Sequence, residues 1–181
     1  MSNASSITRH SLNLRRMTPR DLPHILHIAK NLSAGRLALK HFLKVFQSGD
    51  AAGWIAEKDG CVVGFLIYTV TTQPTGPESE RSGVTSRRQG GTKNPFTTTA
   101  PCVNLLNIVV APEWCRQGIG RSMLEILNQG LWRTACSVQI LVPETNLPLQ
   151  LFLRAVGYKA VRVVRDGFET EDAYLMERRT R

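Results

Sequence analysis

The sequence predicts an α/β (α+β) fold with a mixed, largely antiparallel central sheet of about seven strands flanked by about four helices. Three observations lead to this prediction. Strand-like and helix-like runs alternate along the 181 residues, turn signals separate neighbouring runs, and 42% of the residues are hydrophobic. A chain of this length and composition is expected to fold around one packed core. We therefore expect a single domain over residues 11–181, preceded by a disordered segment at 1–10.

The first part of the chain predicts a strand, two helices and a hairpin. Leu12–Met17 alternates apolar and polar residues, and Thr18–Asp21 has the residue types that begin a helix. Pro23 follows so closely that the first turn of this helix is expected to be loosened. A second helix is expected over about 37–47. Asp59-Gly60 separates two β-rich runs and predicts the turn of a hairpin.

A segment over about 71–101 shows no apolar period and is rich in Thr, Ser, Gly, Pro, Gln and Arg. Such a composition cannot bury enough surface to offset the entropy of ordering the chain. We interpret it as a flexible insertion between two neighbouring strands. Long loops are either functional or disordered, and composition favours disorder here.

The remaining part of the chain predicts strands that alternate with helices. The expected elements are a strand over 102–111, a helix over about 117–132, a strand over 138–142, a helix over about 146–155, and strands over 158–164 and 172–177. Gly157 is expected to end the last helix in a left-handed conformation.

A glycine turn joins the strand over 102–111 to the helix that follows, and its residues are Arg116, Gln117, Gly118, Ile119, Gly120 and Arg121. The N–H groups of such a turn converge, and the positive end of the helix dipole lies behind them. The glycines allow close approach of a diphosphate, and the two arginines add positive charge. The turn therefore predicts a site for a phosphorylated cofactor, although tight strand–helix packing would also require glycines.

Two other phosphate-binding motifs do not fit the sequence. The Rossmann fingerprint needs a third glycine where Met123 stands, and it lies near the first strand of a βαβ unit. The P-loop pattern G-x-x-x-x-G-K-[ST] does not occur.

Around these residues the chain resembles the GNAT superfamily of acyl-CoA-dependent N-acetyltransferases, whose central motif is a strand, then [QR]-x-x-G-x-[GA], then a helix. Residues 105–112 resemble that strand and 116–121 resemble the turn. The chain looks nearest to ribosomal-protein-alanine N-acetyltransferases, which carry a similar strand and R-Q-G-[LI]-G-R. Asn146 and 151–158 resemble the family's N-x(6)-[LF]-Y-x-x-x-G-[FY] segment. The resemblance covers most of the chain apart from 71–101.

The resemblance implies a GNAT-like fold and transfer of an acetyl group from acetyl-CoA, as cosubstrate, to a primary amine by direct attack in a ternary complex. A protein or peptide N-terminus is one such amine, and a small molecule is another; no metal is implied. A backbone group near Val109 would donate to the thioester oxygen. The residues that would bind CoA are Ile108, Val109, Val110, Arg116, Gln117, Gly118, Ile119, Gly120, Arg121 and Asn146.

Three positions depart from the family's pattern. Cys115 stands at the first position of the turn motif, Leu141 where the alanine acetyltransferases have a proposed general base, and Leu153 where relatives often have an acidic tyrosine. A leucine neither accepts nor donates a proton, so the catalytic residues stay unassigned. Two classes of function follow: an enzyme whose acceptor amine loses its proton through water, or a non-catalytic acyl-CoA-binding regulatory module.

Other polar residues near the expected site have plainer interpretations. Asn104 and Asn107 are able to order a water but are not bases, and Glu144 is interpreted as a solvated turn residue. The remaining candidates, interpreted as surface or core residues, are His24, His27, His41, Tyr158 and Tyr174.

Composition limits partners and location. The net charge of +9 suits an anionic cofactor, whereas the basic residues are too scattered for a nucleic-acid face. Four cysteines without metal-binding spacing are expected to be reduced thiols. No run reaches the roughly 18 apolar residues of a membrane helix, and the N-terminus lacks a signal-peptide core. A cytoplasmic monomer or homodimer is expected.

Overall fold

The computed structural model describes residues 12–30, 49–75, 98–131, 137–168 and 171–179. These residues belong to two compact units, one formed by 1–68 with 106–127 and the other by 69–105 with 128–181. The helix expected over about 37–47 and the segment at 1–10 lie outside the described residues.

The predicted seven-stranded, largely antiparallel sheet is confirmed. The strands are β1 (Asn13–Arg16), β2 (Ala51–Lys58), β3 (Cys61–Thr75), β4 (Thr98–Val110), β5 (Ser137–Pro143), β6 (Lys159–Phe168) and β7 (Glu171–Arg179). Hydrogen bonds join them in the order β1-β2-β3-β4-β5-β7-β6. Strand β4 pairs with β5 in parallel, whereas β1 with β2, β5 with β7 and β6 with β7 are antiparallel. The described α-helices are α1 (Leu22–Lys30), α2 (Ile119–Leu131) and α3 (Leu147–Ala155).

The start of the first unit follows from its local sequence. A 3₁₀ turn over Pro19–Asp21 precedes α1, which is the loosened first turn expected from Pro23. The Asp21 carboxylate accepts hydrogen bonds from both the backbone N–H (2.7 Å) and the hydroxyl (2.9 Å) of Thr18, so it anchors this turn. Helix α1 then buries its apolar face, and the core of the unit contains Ile25, Ile28, Ala29, Ile55, Phe65, Ile67, Val109 and Ala111.

The hairpin between β2 and β3 turns at the expected dipeptide. Asp59 (φ 53°) and Gly60 (φ 77°) both adopt positive φ, as a type I′ turn requires. Beyond the hairpin, β3 reaches Thr75 and β4 begins at Thr98, so both ends of the segment expected to be an insertion are strand. Threonine is β-branched and suits extended backbone even where no apolar period marks a strand. Residues 76–97 lie outside the described part of the chain.

The second unit has β5 in its interior. Val138, Ile140 and Val142 of β5 are buried. Helix α3 begins at the expected cap, because the Asn146 side-chain oxygen accepts from the Leu149 N–H (3.2 Å). It is followed by Gly157 at a φ of 94°, which is the expected left-handed ending.

The described cysteines, Cys61, Cys102 and Cys115, are not joined to one another by disulfides. Among the helices of the described residues, none has the length and apolar character needed to cross a membrane.

Candidate functional site

The last residues of β4 present alternate backbone groups to the two edges of the strand. The Ala111 N–H donates to the Val63 carbonyl of β3 (2.8 Å). Since neighbouring residues of a strand point their N–H and C=O groups to opposite edges, Val109 also faces β3. The backbone groups of Ile108 and Val110 therefore point to the other edge. A glycine at position 64 lets the strands approach, because a Cβ there would lie 2.8 Å from the Val109 carbonyl oxygen.

Within the second unit, the parallel pairing of β4 with β5 is short. It runs from Cys102 opposite Ser137 to Leu105 opposite Ile140. Strand β5 remains paired with β7 as far as Pro143.

The glycine turn has the backbone geometry of an anion site. Arg116 (φ 66°) and Gly118 (φ 81°) both lie in the left-handed region, which turns successive N–H groups toward the same side. The Ser122 N–H donates to the Gly118 carbonyl (3.0 Å), so α2 begins directly after this glycine. Within the part of the chain that the structure describes, the N–H groups of residues 116–121 donate no hydrogen bond. They are the donors that a helix start leaves for a ligand.

Positive side chains surround this turn. Arg116 and Arg121 are exposed, and Lys58 reaches the turn from the end of β2. The Lys58 ammonium donates to the Gln117 side-chain oxygen (2.8 Å) and lies 4.8 Å from the centroid of the Trp114 ring. Among the described residues, none of these three cations forms an ion pair with a carboxylate. The sequence analysis missed Lys58, because 59 residues separate it from Gln117 and no local pattern links them.

Cys115 does not supply the polar side chain, Gln or Arg, that the family's motif has at this position. Its exposed thiol lies 3.5 Å from the Ala111 carbonyl oxygen and 3.6 Å from that of Val110. The side chain thus folds back on the end of β4, and the backbone provides the donors of the turn.

In the second unit, the two positions expected to lack catalytic groups are structural. Leu153 of α3 is 0% exposed and belongs to the hydrophobic interior. Leu141 of β5 is half-buried and pairs with Leu175 of β7. The side chain of Asn146, which the resemblance linked to CoA, caps α3.

The other polar candidates lie in varied settings. His24 and His27 are exposed on α1, and Glu144 is exposed after β5, whereas His41 lies outside the described residues. The Asn104 amide donates to the Thr71 hydroxyl (2.9 Å). No three described His, Cys, Asp or Glu side chains are grouped so that they would hold a metal ion.

Comparison with known proteins identifies relatives of this chain. A family model described as acetyltransferase (GNAT) family matches residues 32–158. An N-alpha-acetyltransferase from Sulfurisphaera tokodaii is 26% identical over 138 residues, which are 75% of this chain and 73% of that protein.

Two solved structures share the fold. The ribosomal-protein-S18-alanine N-acetyltransferase from Escherichia coli has a TM-score of 0.69 at 21% identity over 94% of both chains. Arabidopsis thaliana NAA60 in complex with acetyl-CoA has a TM-score of 0.71 at 17% identity, over 93% of this chain and 98% of that one.

Proposed function

Because the chain belongs to the GNAT family of acetyltransferases and is thus an N-acetyltransferase, we propose that it transfers the acetyl group of acetyl-CoA to the N-terminal amine of a protein or peptide. The observation that carries this proposal is the row of N–H groups over residues 116–121, which offers donors to a diphosphate. Two relatives are named for N-alpha and ribosomal-protein-alanine acetylation, and these names support the choice of acceptor.

The glycine turn would hold the diphosphate of acetyl-CoA. Its backbone donors and the positive end of α2 favour an anion, and they need no reorganisation when the anion arrives. Arg116, Arg121 and Lys58 add three positive charges around this point. The residues present therefore fit the group that the family uses.

The edge of β4 that points away from β3 would hold the thioester arm. Ile108 and Val110 direct their N–H groups to this edge, whereas Val109 faces β3. We therefore assign the donor for the thioester oxygen to one of these two neighbours of Val109. A donor that stabilises the developing oxyanion contributes about 10²–10³ in rate in other acyl-transfer enzymes.

The reaction itself needs only a neutral amine in line with the thioester. The amine nitrogen attacks the carbonyl carbon, the carbon–sulfur bond breaks, and the proton lost by the nitrogen reaches the departing thiolate through water. Leu141 and Leu153 leave this proton transfer to solvent, since neither side chain has a group that accepts or donates a proton. Alignment of the two reactants supplies much of the acceleration in such cases.

A thiol-release assay with acetyl-CoA and a panel of peptides tests the proposal. Peptides with a free N-terminus should release CoA and gain one acetyl group, as followed by mass spectrometry. The matched control is the same set of peptides with the N-terminus blocked, so that an internal lysine is the remaining amine. If the blocked peptides react equally well, or if no peptide raises thiol release above the hydrolysis of acetyl-CoA alone, the proposed acceptor is wrong.

A further inference from the structure

Strand β6 lies at an end of the described sheet. It stands last in the order of strands, so its outer edge pairs with no other strand of the described residues. Residues 159–163, 165 and 166 are exposed. The unpaired edge of this ten-residue strand presents a row of backbone N–H and C=O groups, which are able to pair with another extended chain.

Apolar side chains add to this edge. Val161 is 51% exposed and Val163 is 48% exposed. They are two of the five large apolar side chains that are exposed in the described parts of the chain. A strand placed alongside β6 would cover part of both valines, and the removal of apolar surface from water favours association.

The charges at the two ends of β6 are opposite. Lys159 is near the beginning of the strand and Asp166 near its end, and among the described residues neither forms an ion pair. Arg165 is already paired with Asp172, with its Nη1 2.5 Å from a carboxylate oxygen. Strand β6 therefore carries charges that complement a strand of the same sequence running antiparallel to it.

One antiparallel register brings these charges together. A two-fold axis that passes between Arg162 and Val163 places Lys159 of each copy opposite Asp166 of the other, so that two ion pairs form. In this register the arginine at 162 lies opposite a valine, and no two like charges of β6 face each other directly. A shift of one residue in one direction would place Lys159 opposite Arg165, and a shift in the other direction would separate it from Asp166.

We propose that the outer edge of β6 pairs antiparallel with the same edge of a second copy of this chain, so that two protomers form a symmetric dimer. Natural edge strands are commonly protected from such pairing by charged side chains. Here the like charges do not meet, and the opposite charges select the register. The axis passes through Arg162–Val164, the part of β6 that pairs with β7 without a register shift. Because this part is short, the dimer is expected to dissociate on dilution.

Sedimentation equilibrium of the full chain over a micromolar concentration series measures the dissociation constant of the dimer. Lys159→Glu places two pairs of acidic side chains across the axis, so it should weaken the dimer by about tenfold or more. Lys159→Glu combined with Asp166→Lys restores opposite charges and should recover most of the affinity. Arg20→Glu makes the same change of net charge at an exposed residue of the first unit, so it is the matched control and should have no effect.

Asp166 has a positive φ of 49°, which asparagine tolerates better than lysine does. Asp166→Asn is therefore the second variant, and loss of the two ion pairs should weaken the dimer by about threefold. Hydrogen exchange tests the pairing in the parent protein. The backbone amides of residues 161–164 should exchange faster after dilution, whereas those of β5 should not change.

Several results would overturn the proposal. A parent protein that stays monomeric throughout the series would show that the edge is unpaired. Equal weakening by Arg20→Glu and Lys159→Glu would show an effect of net charge alone. If Asp166→Asn leaves the dimer unchanged and the double variant associates no better than Lys159→Glu, the register is wrong. A dimer whose exchange at 161–164 does not depend on concentration would use a different surface.

Discussion

The ammonium nitrogen of Lys58 lies 2.8 Å from the side-chain oxygen of Gln117, so the end of β2 is tied to the glycine turn. The ring of Trp114 supports the same ammonium group from 4.8 Å. Two contacts thus fix a positive charge beside the N–H groups of residues 116–121. This arrangement adds a cation to a turn whose first motif position is the uncharged Cys115.

Lys58→Gln should weaken CoA binding by about three- to tenfold, because a partly exposed charge is lost beside the diphosphate. Isothermal titration calorimetry with CoA and with pantetheine, which lacks the diphosphate, measures the effect. Pantetheine affinity should not change, and Lys58→Arg should restore most of the CoA affinity. Lys159→Gln, which removes a lysine from the second unit, is the control. An equal loss for pantetheine would mean that Lys58 does not act on the diphosphate.

Gly120→Glu should abolish CoA binding, since it places a negative side chain among the donors at the start of α2. Calorimetry with CoA is again the measurement. Gly130→Glu is the matched control, because an added Cβ at this exposed position of the same helix meets no atom within 4 Å. Unchanged CoA affinity in a folded Gly120→Glu protein would exclude the turn as the diphosphate site.

Gly64→Ala should destabilise the first unit by about 1–3 kcal/mol, because the new methyl group would lie 2.8 Å from the Val109 carbonyl oxygen and push β3 away from β4. Urea denaturation followed by circular dichroism measures the change. The control Gly130→Ala should be neutral or stabilising by up to about 1 kcal/mol, as expected for alanine in an open helix position. Equal stabilities of the two variants would contradict the close approach of these strands.

Asp21 should make the stability of the fold vary with pH in the acid range. The Arg15 guanidinium, with its Nη2 at 2.6 Å and Nη1 at 2.8 Å from the two carboxylate oxygens, holds the pKa of Asp21 well below its usual range. Because the pKa of Asp21 is lower in the folded than in the unfolded protein, its ionised carboxylate stabilises the fold at pH values above the unfolded-state pKa of about 3.9. This contribution to stability is lost as the pH falls below that value.

Asp21→Asn should therefore destabilise the protein by about 1–3 kcal/mol at neutral pH, since it breaks charge-assisted bonds to Arg15. The difference from the parent protein should shrink as the pH falls below about 4. Urea denaturation across this range measures it. A difference that stays constant with pH would show that the ion pair contributes nothing to this dependence.

The pH dependence of catalysis should follow the acceptor rather than the enzyme. If water removes the proton, kcat/KM should rise with the fraction of neutral amine. The midpoint of the rise should lie at the pKa of the acceptor, about 7.7–8.0 for an α-amine, and kcat/KM should level off above it. Peptides with different N-terminal pKa values should shift the profile accordingly. A profile that keeps the same midpoint for every acceptor would reveal a titrating group of the enzyme, and Glu144 would be the first residue to replace.

Local patterns account for the parts of the fold that the sequence predicted well. Asp59-Gly60 predicts its turn because both residues tolerate positive φ. Asn146 and Gly157 predict the two ends of α3 because the residues that cap a helix lie within one turn of its ends. The boundaries of β3 and β4 differ from prediction, since strands in this region lack an apolar period. Backbone pairing with a distant strand, rather than side-chain pattern, extends them.

The order of residues by itself determined the alternation of strands and helices and the glycine turn with its flanking arginines, because these features depend on neighbours within a few positions. The tertiary structure alone decided that Lys58 joins the turn and that Val109 faces β3, whereas Ile108 and Val110 face the other edge of β4. It also decided that the Tyr158 hydroxyl is buried with no hydrogen-bond partner among the described residues. These properties depend on strand register and on contacts between residues far apart in the chain, which no local pattern encodes.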